Sequence, residues 1–166
     1  MLISRLRDSI VQLTTRGRYA VTAMLDLATN AAGAPLRLSD IADRQNISLS
    51  YLEQLFARLR RDELVIGVRG PGGGYRLGRG VNAISVADII ESVNERIDVT
   101  RCGGAGDCDR GDTCLTHHLW SELSEDLQRF LQRITLADLI ARGQGSDRAA
   151  TGPRLRTEAI EEAEHV

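Results

Sequence analysis

Lysine is missing from this 166-residue chain; all 21 basic residues are arginine. Genomic base composition explains that more simply than function does. No apolar run approaches the roughly 18 residues a membrane span needs. The opening stretch, MLISRLRDSIVQ, puts Arg5, Arg7 and Asp8 where a secretory signal needs an apolar segment, so a cytoplasmic protein is expected. Cysteine is scarce and odd in number, with all three residues between positions 102 and 114. A disulfide scaffold uses an even count spread over the fold, so a metal or redox site fits this group better. There is no internal repeat and no nucleophile–base pair. The Gly-rich stretch RGPGGG lacks the Lys-Ser/Thr that would cradle a nucleotide, so an enzyme is not expected.

What is present suits one small DNA-binding domain with an appended element. The apolar fraction of 42% is enough to bury a core. The net charge is only −2, but it is polarised along the chain. Residues 1–101 carry 14 arginines against 11 acids, and residues 102–166 carry 7 against 12.

Apolar spacing predicts a helix over 14–31, capped by Thr14 or Thr15 and broken at Gly33 to Pro35. A short helix over 39–45 follows, capped by Ser39. A longer one spans about 51–62, with Leu52, Leu55, Phe56 and Leu59 as its buried stripe. Ser50 and Glu53 have the spacing of a capping box. The β-prone runs Leu64–Val68 and Tyr75–Leu77 flank RGPGGG and read as a hairpin. Residues 85–94 form another short helix, capped by Ser85, and residues 98–116 a loop. A long helix is expected over 115–134. Its Leu119, Leu123, Leu127, Phe130 and Ile134 form a stripe fit for a partner helix, with one more turn at 136–140. The polar residues beyond Gly143 read as a disordered tail.

Three short helices followed by a Gly-tipped hairpin is the order of a winged helix-turn-helix. Its reading helix enters the DNA major groove by its N-terminal residues, here Ser48, Ser50, Tyr51, Glu53 and Gln54. Hydroxyls reach phosphates or base edges, and glutamine pairs with adenine. Arg58, also expected to contact DNA, follows on that helix with Arg60 and Arg61, and Arg69 at the hairpin tip is expected to reach a minor groove or phosphate. Residues 51–80 hold six arginines against three acids, more than an ordinary solvated face requires. Glu53 has two readings: it accepts a hydrogen bond from cytosine N4 and so selects sequence, or it completes the capping box.

The second constellation is Cys102-x5-Cys108-x5-Cys114-x2-His117. Thiolates and imidazole bind zinc or iron–sulfur clusters, and this spacing does not separate tetrahedral zinc from one [2Fe–2S] cluster. Gly103, Gly104, Gly106 and Gly111 permit the turns that let the ligands converge. Cys114 and His117 at i, i+3 would share a helix face, whereas the adjacent His118 points elsewhere and reads as a surface residue. An imidazole in place of one thiolate would raise a cluster's reduction potential.

The segments LTTRGRYAVTAMLDLA, ISLSYLEQLFARLRRDELV, VRGPGGGYRL and RCGGAGDCDRGDTCLTHHLW carry a resemblance. They resemble the IscR-like iron–sulfur cluster-responsive regulators, within the Rrf-type winged-helix transcription factors, over about residues 13–140. The resemblance implies a mainly α fold with a small β-hairpin wing, in a homodimer that binds promoter DNA. It implies one [2Fe–2S] cluster per subunit on Cys102, Cys108, Cys114 and His117, supplied by the iron–sulfur assembly machinery. Ser48, Ser50, Tyr51, Glu53, Gln54 and Arg69 match the family's DNA-reading positions. The implied function is control, mainly repression, of cluster-assembly genes including the chain's own operon. A cluster-free form would read a second class of sites, tuned by Glu53. The family pattern starts near Val11, so residues 1–10 read as an extension or a misassigned start. The expected organisation is an extension over 1–12, the DNA module over 13–97 and a cluster loop over 98–118. A dimerisation helix region over 115–142 and a disordered acidic tail over 143–166 complete it. Two rivals stand beside this reading: a nitric-oxide or redox sensor on the same scaffold, and an iron–sulfur carrier. Cysteine-metabolism repressors of the same fold lack the three cysteines and fit poorly.

Overall fold

Alternation of helical apolar spacing with Gly- and Pro-marked breaks becomes six α-helices and one hairpin among the described residues. The computed structural model describes residues 15–31, 33–93, 97–100, 102–109 and 111–149. Helix α1 spans Thr15–Asn30 and buries Ala20, Ala23, Met24 and Leu27 completely. Thr15 is already helical, and Thr14 lies outside the described residues. Helix α2 (Leu38–Gln45) and helix α3 (Leu49–Arg61) pack beside it, bringing Ile41, Leu52, Leu55, Phe56 and Leu59 into one core.

A buried charge ties α1 to α2. The Asp26 side chain is 1% exposed and accepts from Arg44 at 2.6 and 3.0 Å, one bond to each carboxylate oxygen, and from Gln45 at 2.6 Å. Burial pushes this carboxyl up, but the Arg44 and Gln45 bonds outweigh it and hold it below the ordinary aspartate value.

Two cap assignments change. Ser39 lies inside α2, whose N-cap is Arg37 and has no side-chain cap bond. The N-cap of α3 is Ser48, whose hydroxyl accepts the Tyr51 N–H at 3.3 Å. Ser50 is therefore within the helix, and no Ser50–Glu53 capping box forms. The reason is the tight exit from α2. Asn46 caps it in the left-handed region at φ 52°, Ile47 is buried, and the chain turns into α3 two residues earlier than the sequence pattern indicates. The Ser85 cap of helix α4 (Val86–Ser92) holds, reinforced by the reciprocal bond in which the Asp88 carboxylate accepts the Ser85 N–H; Asn94 lies outside the described residues.

Strands β1 (Val65–Val68) and β2 (Gly74–Leu77) pair antiparallel, with Val65 opposite Leu77 and Val68 opposite Gly74. β2 is also clamped from the other side: Leu36 exchanges two backbone bonds with Tyr75, at 2.9 and 2.8 Å. That clamp requires glycine at 74, because a Cβ there would meet the Leu36 carbonyl oxygen at 2.4 Å. Tyr75 in turn packs edge-on against Phe56, ring centroids 5.0 Å apart. The wing is thus fastened both to the α2 entry and to α3.

Helix α5 (His117–Gln132) buries no residue. The chain then returns to the module. Ile134 is buried with Val86 and Ile90, and Leu136 enters the main core fully buried. What was expected as one further turn is a separate helix α6, Leu136–Ala149, which runs past Gly143 where a disordered tail was expected to begin. Thr135 and Asp138 form a capping box at its start, with bonds of 2.8 Å from the Thr135 N–H and 3.3 Å from the Asp138 N–H. Residues 150–166 lie outside the described set. Among the described residues no helix is long and apolar enough to cross a membrane.

Candidate functional site

The loop between α4 and α5 has little apolar material and is shaped by hydrogen bonds. The Asp98 carboxylate accepts from the Thr100 backbone and hydroxyl, both at 2.7 Å, and the Thr100 hydroxyl accepts the Gly104 N–H at 2.7 Å. Val99 donates to the Ser124 hydroxyl at 3.0 Å, which pins the start of the loop to α5. Thr113 donates to the Gly106 carbonyl at 3.0 Å, joining the loop's two halves. All four glycines expected to permit the turns have positive φ, from 62° at Gly103 to 96° at Gly111.

This scaffold brings three ligand atoms together: the Cys102 and Cys108 sulfurs and a His117 ring nitrogen lie within 4.8 Å of one another. His117 Nδ1 is 3.5 Å from the Cys102 sulfur and 3.7 Å from the Cys108 sulfur. Cys114 lies outside that set. Its N–H donates to the Cys108 sulfur at 3.1 Å, and its own sulfur is 3.7 Å from the Thr116 hydroxyl. Because α5 begins at His117, Cys114 precedes the helix and shares no helix face with it. The two are linked by a turn, with the His117 N–H on the Cys114 carbonyl at 3.1 Å. The exposed His118 takes no part in the group.

The thiols differ electrostatically. Burial pushes Cys102 up, but bonds from the Gly106 and Gly104 N–H groups and the Thr100 hydroxyl outweigh it and bring it down to about 7. Bonding to the Cys114 thiol pushes Cys108 up, while bonds from Cys108 and Thr116 bring Cys114 down. Two soft thiol donors and an imidazole, converging in a half-buried pocket rich in N–H groups, fit a zinc ion or an iron–sulfur cluster. Asp107, Asp109 and Asp112 are exposed on the loop.

The expected DNA-reading residues lie on one end of α3 and the hairpin tip. Ser48, Ser50, Glu53 and Gln54 are exposed at the start of α3, and Arg69 is exposed at the tip. Tyr51 is half-buried and packs edge-on against Tyr19 of α1, centroids 6.0 Å apart. Arg58 points elsewhere: its guanidinium donates to the Val93 carbonyl at 3.1 Å, tying α3 to the end of α4.

Residues 13–142 match the family model Rrf2, described as an iron-dependent transcriptional regulator. The chain belongs to the Rrf2 family. It is 60% identical over 137 residues to HTH-type transcriptional regulator ORF2 of Azotobacter vinelandii, spanning 82% of this chain and 84% of that one. It is 52% identical over 153 residues to the Escherichia coli regulator IscR, spanning 89% and 94% of the two chains. Two solved structures share the fold. T. potens IscR superposes with a TM-score of 0.66 at 34% identity, over 86% of this chain and 93% of that one. CymR, the global cysteine regulator of B. subtilis, gives 0.69 at 32%, over 80% and 98%. This Rrf2 chain is therefore an IscR-like, DNA-binding winged-helix transcription regulator and not an enzyme.

On this Rrf2 chain the stripe expected to meet a partner helix divides. Leu119, Leu123 and Phe130 are exposed on α5 and Leu127 is half-buried, whereas Ile134 belongs to the chain's own core. Trp120, 40% exposed and absent from the expected stripe, joins the open face; Leu115 is fully exposed just before the helix. Sequence reading also missed Ser121 and Ser124. Their spacings of four and seven from His117 put them on its side of the helix, which was the available signal.

Proposed function

We propose that this regulator holds a [2Fe–2S] cluster on Cys102, Cys108, Cys114 and His117 and uses its occupancy to choose promoters. The convergence of Cys102, Cys108 and His117 in a chain of this family carries the reading. When bound, the cluster supplies an electron-accepting, oxidisable centre at the α5 N-terminus. The chain's own part is to present thiolates, aim the His117 ring and bring Cys114 beside Cys108. Ser48, Ser50, Tyr51, Glu53, Gln54 and Arg69 form the DNA-reading set, with Glu53 freed from capping to select bases. A second copy covers Leu119, Leu123, Leu127 and Phe130 of α5. In the cytoplasm, the assembly machinery donates the cluster, and the promoters repressed include those of cluster-assembly genes and the chain's own operon. The loop sits directly between the DNA module and α5, and Arg58 links the reading helix to the α4 end from which the loop departs. Cluster occupancy thus bears on how two reading heads are held.

Anaerobic purification followed by iron, sulfide and zinc analysis of wild type and His117→Ala tests this. Two irons and two sulfides per subunit are expected, with an altered visible spectrum or faster loss in the variant. Zinc without sulfide would make the centre structural and overturn the sensing role.

A further inference from the structure

One side of the His117 ring faces thiols and the other faces α5. Nδ1 lies 3.5 and 3.7 Å from the Cys102 and Cys108 sulfurs, while Nε2 lies 3.3 Å from the Ser121 hydroxyl. We propose that Ser121 is a positioning residue for the metal centre: its hydroxyl holds His117 Nε2–H and so leaves the Nδ1 lone pair for the metal. This rests on the reading of Cys102, Cys108 and His117 as ligands.

A neutral imidazole carries one proton, and a nitrogen that ligates a metal must be the bare one. With Nδ1 turned to the sulfurs, the proton belongs on Nε2. There it needs an acceptor, and among the described residues Ser121 is within reach. Ser121 is one helical turn after His117, so α5 itself delivers the hydroxyl to the ring. Ligating histidines generally depend on such an outer partner, and its loss costs 10- to 100-fold in metal affinity. A neutral hydroxyl belongs near the lower end of that range. Ser124, a turn further on, holds Val99 at 3.0 Å. One face of α5 therefore orients the ligand ring and anchors the loop bearing the thiols.

The probe is cobalt(II), titrated anaerobically into the cluster-free full-length chain and read by its visible bands. Ser121→Ala is expected to weaken cobalt binding about tenfold. Ser121→Thr, which keeps the hydroxyl, should bind within about twofold of wild type. In a His117→Ala background the Ser121→Ala change should cost nothing further, because the effect runs through the ring. A general weakening of the helix would persist in that background and would overturn the proposal. So would unchanged cobalt affinity in Ser121→Ala. A wild type that binds cobalt through His117, with this pattern, but never carries iron and sulfide would overturn the cluster reading alone. A wild type that does not bind cobalt would overturn the role of Ser121 and leave the cluster reading to its iron and sulfide content.

Discussion

Helices α3 and α5 carry similar amphipathic patterns and meet different fates. α3 buries Leu52, Leu55, Phe56 and Leu59 against α1, α4 and the wing; α5 has no fully buried residue, and its Leu131 packs half-buried against Val86, Ile90 and Ile134. The contacts of α5 with its own chain include polar ones, such as Ser124 with Val99 and Gln128 with Glu91 at 2.9 Å. Such bonds add only about 0.5–1.5 kcal/mol each, whereas each buried large side chain adds about 1.5–3 kcal/mol. The DNA module therefore keeps its shape from within. The loop and α5 rest instead on hydrogen bonds and half-buried contacts.

The contrast breaks most visibly at Phe56. Phe56→Ala should remove about 3–5 kcal/mol of stability in urea unfolding, since the ring is fully buried against Tyr75. Leu123→Ala on α5 should cost a monomer less than about 1 kcal/mol, the range of an exposed position. It should nevertheless weaken self-association about tenfold by sedimentation equilibrium. Equal losses in the two variants would mean that α5 is packed as the module is.

The Asp26–Arg44 pair sharpens the same contrast through pH. Asp26 titrates lower in the folded chain than in the unfolded one. Its contribution is therefore complete above the ordinary aspartate value of 3.8 and is lost as pH falls through the lowered value. Asp26→Asn should be less stable than wild type at neutral pH and converge on it in acid. Thermal unfolding across that range is the check; parallel curves would remove the pair from the account.

The smallest effect concerns the start of α3. Ser48→Ala should cost about 1 kcal/mol as a lost cap. Ser50→Ala and Glu53→Ala should stay within about 0.5 kcal/mol, as exposed positions without a cap role. If Glu53 selects bases, Glu53→Ala changes the preference between cytosine-containing and cytosine-lacking sites at unchanged stability. Unaltered discrimination would leave Glu53 with no assigned role.

Much of this was legible along the chain. The stripe of α3, the hairpin around RGPGGG, the Ser85 cap and the convergence of Cys102, Cys108 and His117 follow from local spacing and from residues whose chemistry is narrow. The Ser50–Glu53 box misled because S-x-x-E also occurs one turn inside a helix. The true cap was decided by the left-handed exit of α2 at Asn46. Helix α6 was read only as one further turn at 136–140, although Thr135 and Asp138 spell its capping box, because the polar stretch from Gly143 read as a tail.

Sequence alone therefore determined the kinds of element, their order and the candidate ligand group, of which Cys102, Cys108 and His117 converge. These depend on side-chain chemistry and on periodicities of a few residues. Tertiary structure decided what lies outside such a window: that Leu36 clamps the wing, that Arg58 turns to Val93, that Ile134 and Leu136 return to the core, and that Ser121 meets the far side of the His117 ring. For Leu36, Arg58, Ile134 and Leu136 the partners lie far apart in sequence, and only packing brings them together. Ser121 is a neighbour along α5, and its meaning rests on where the loop places the two thiols.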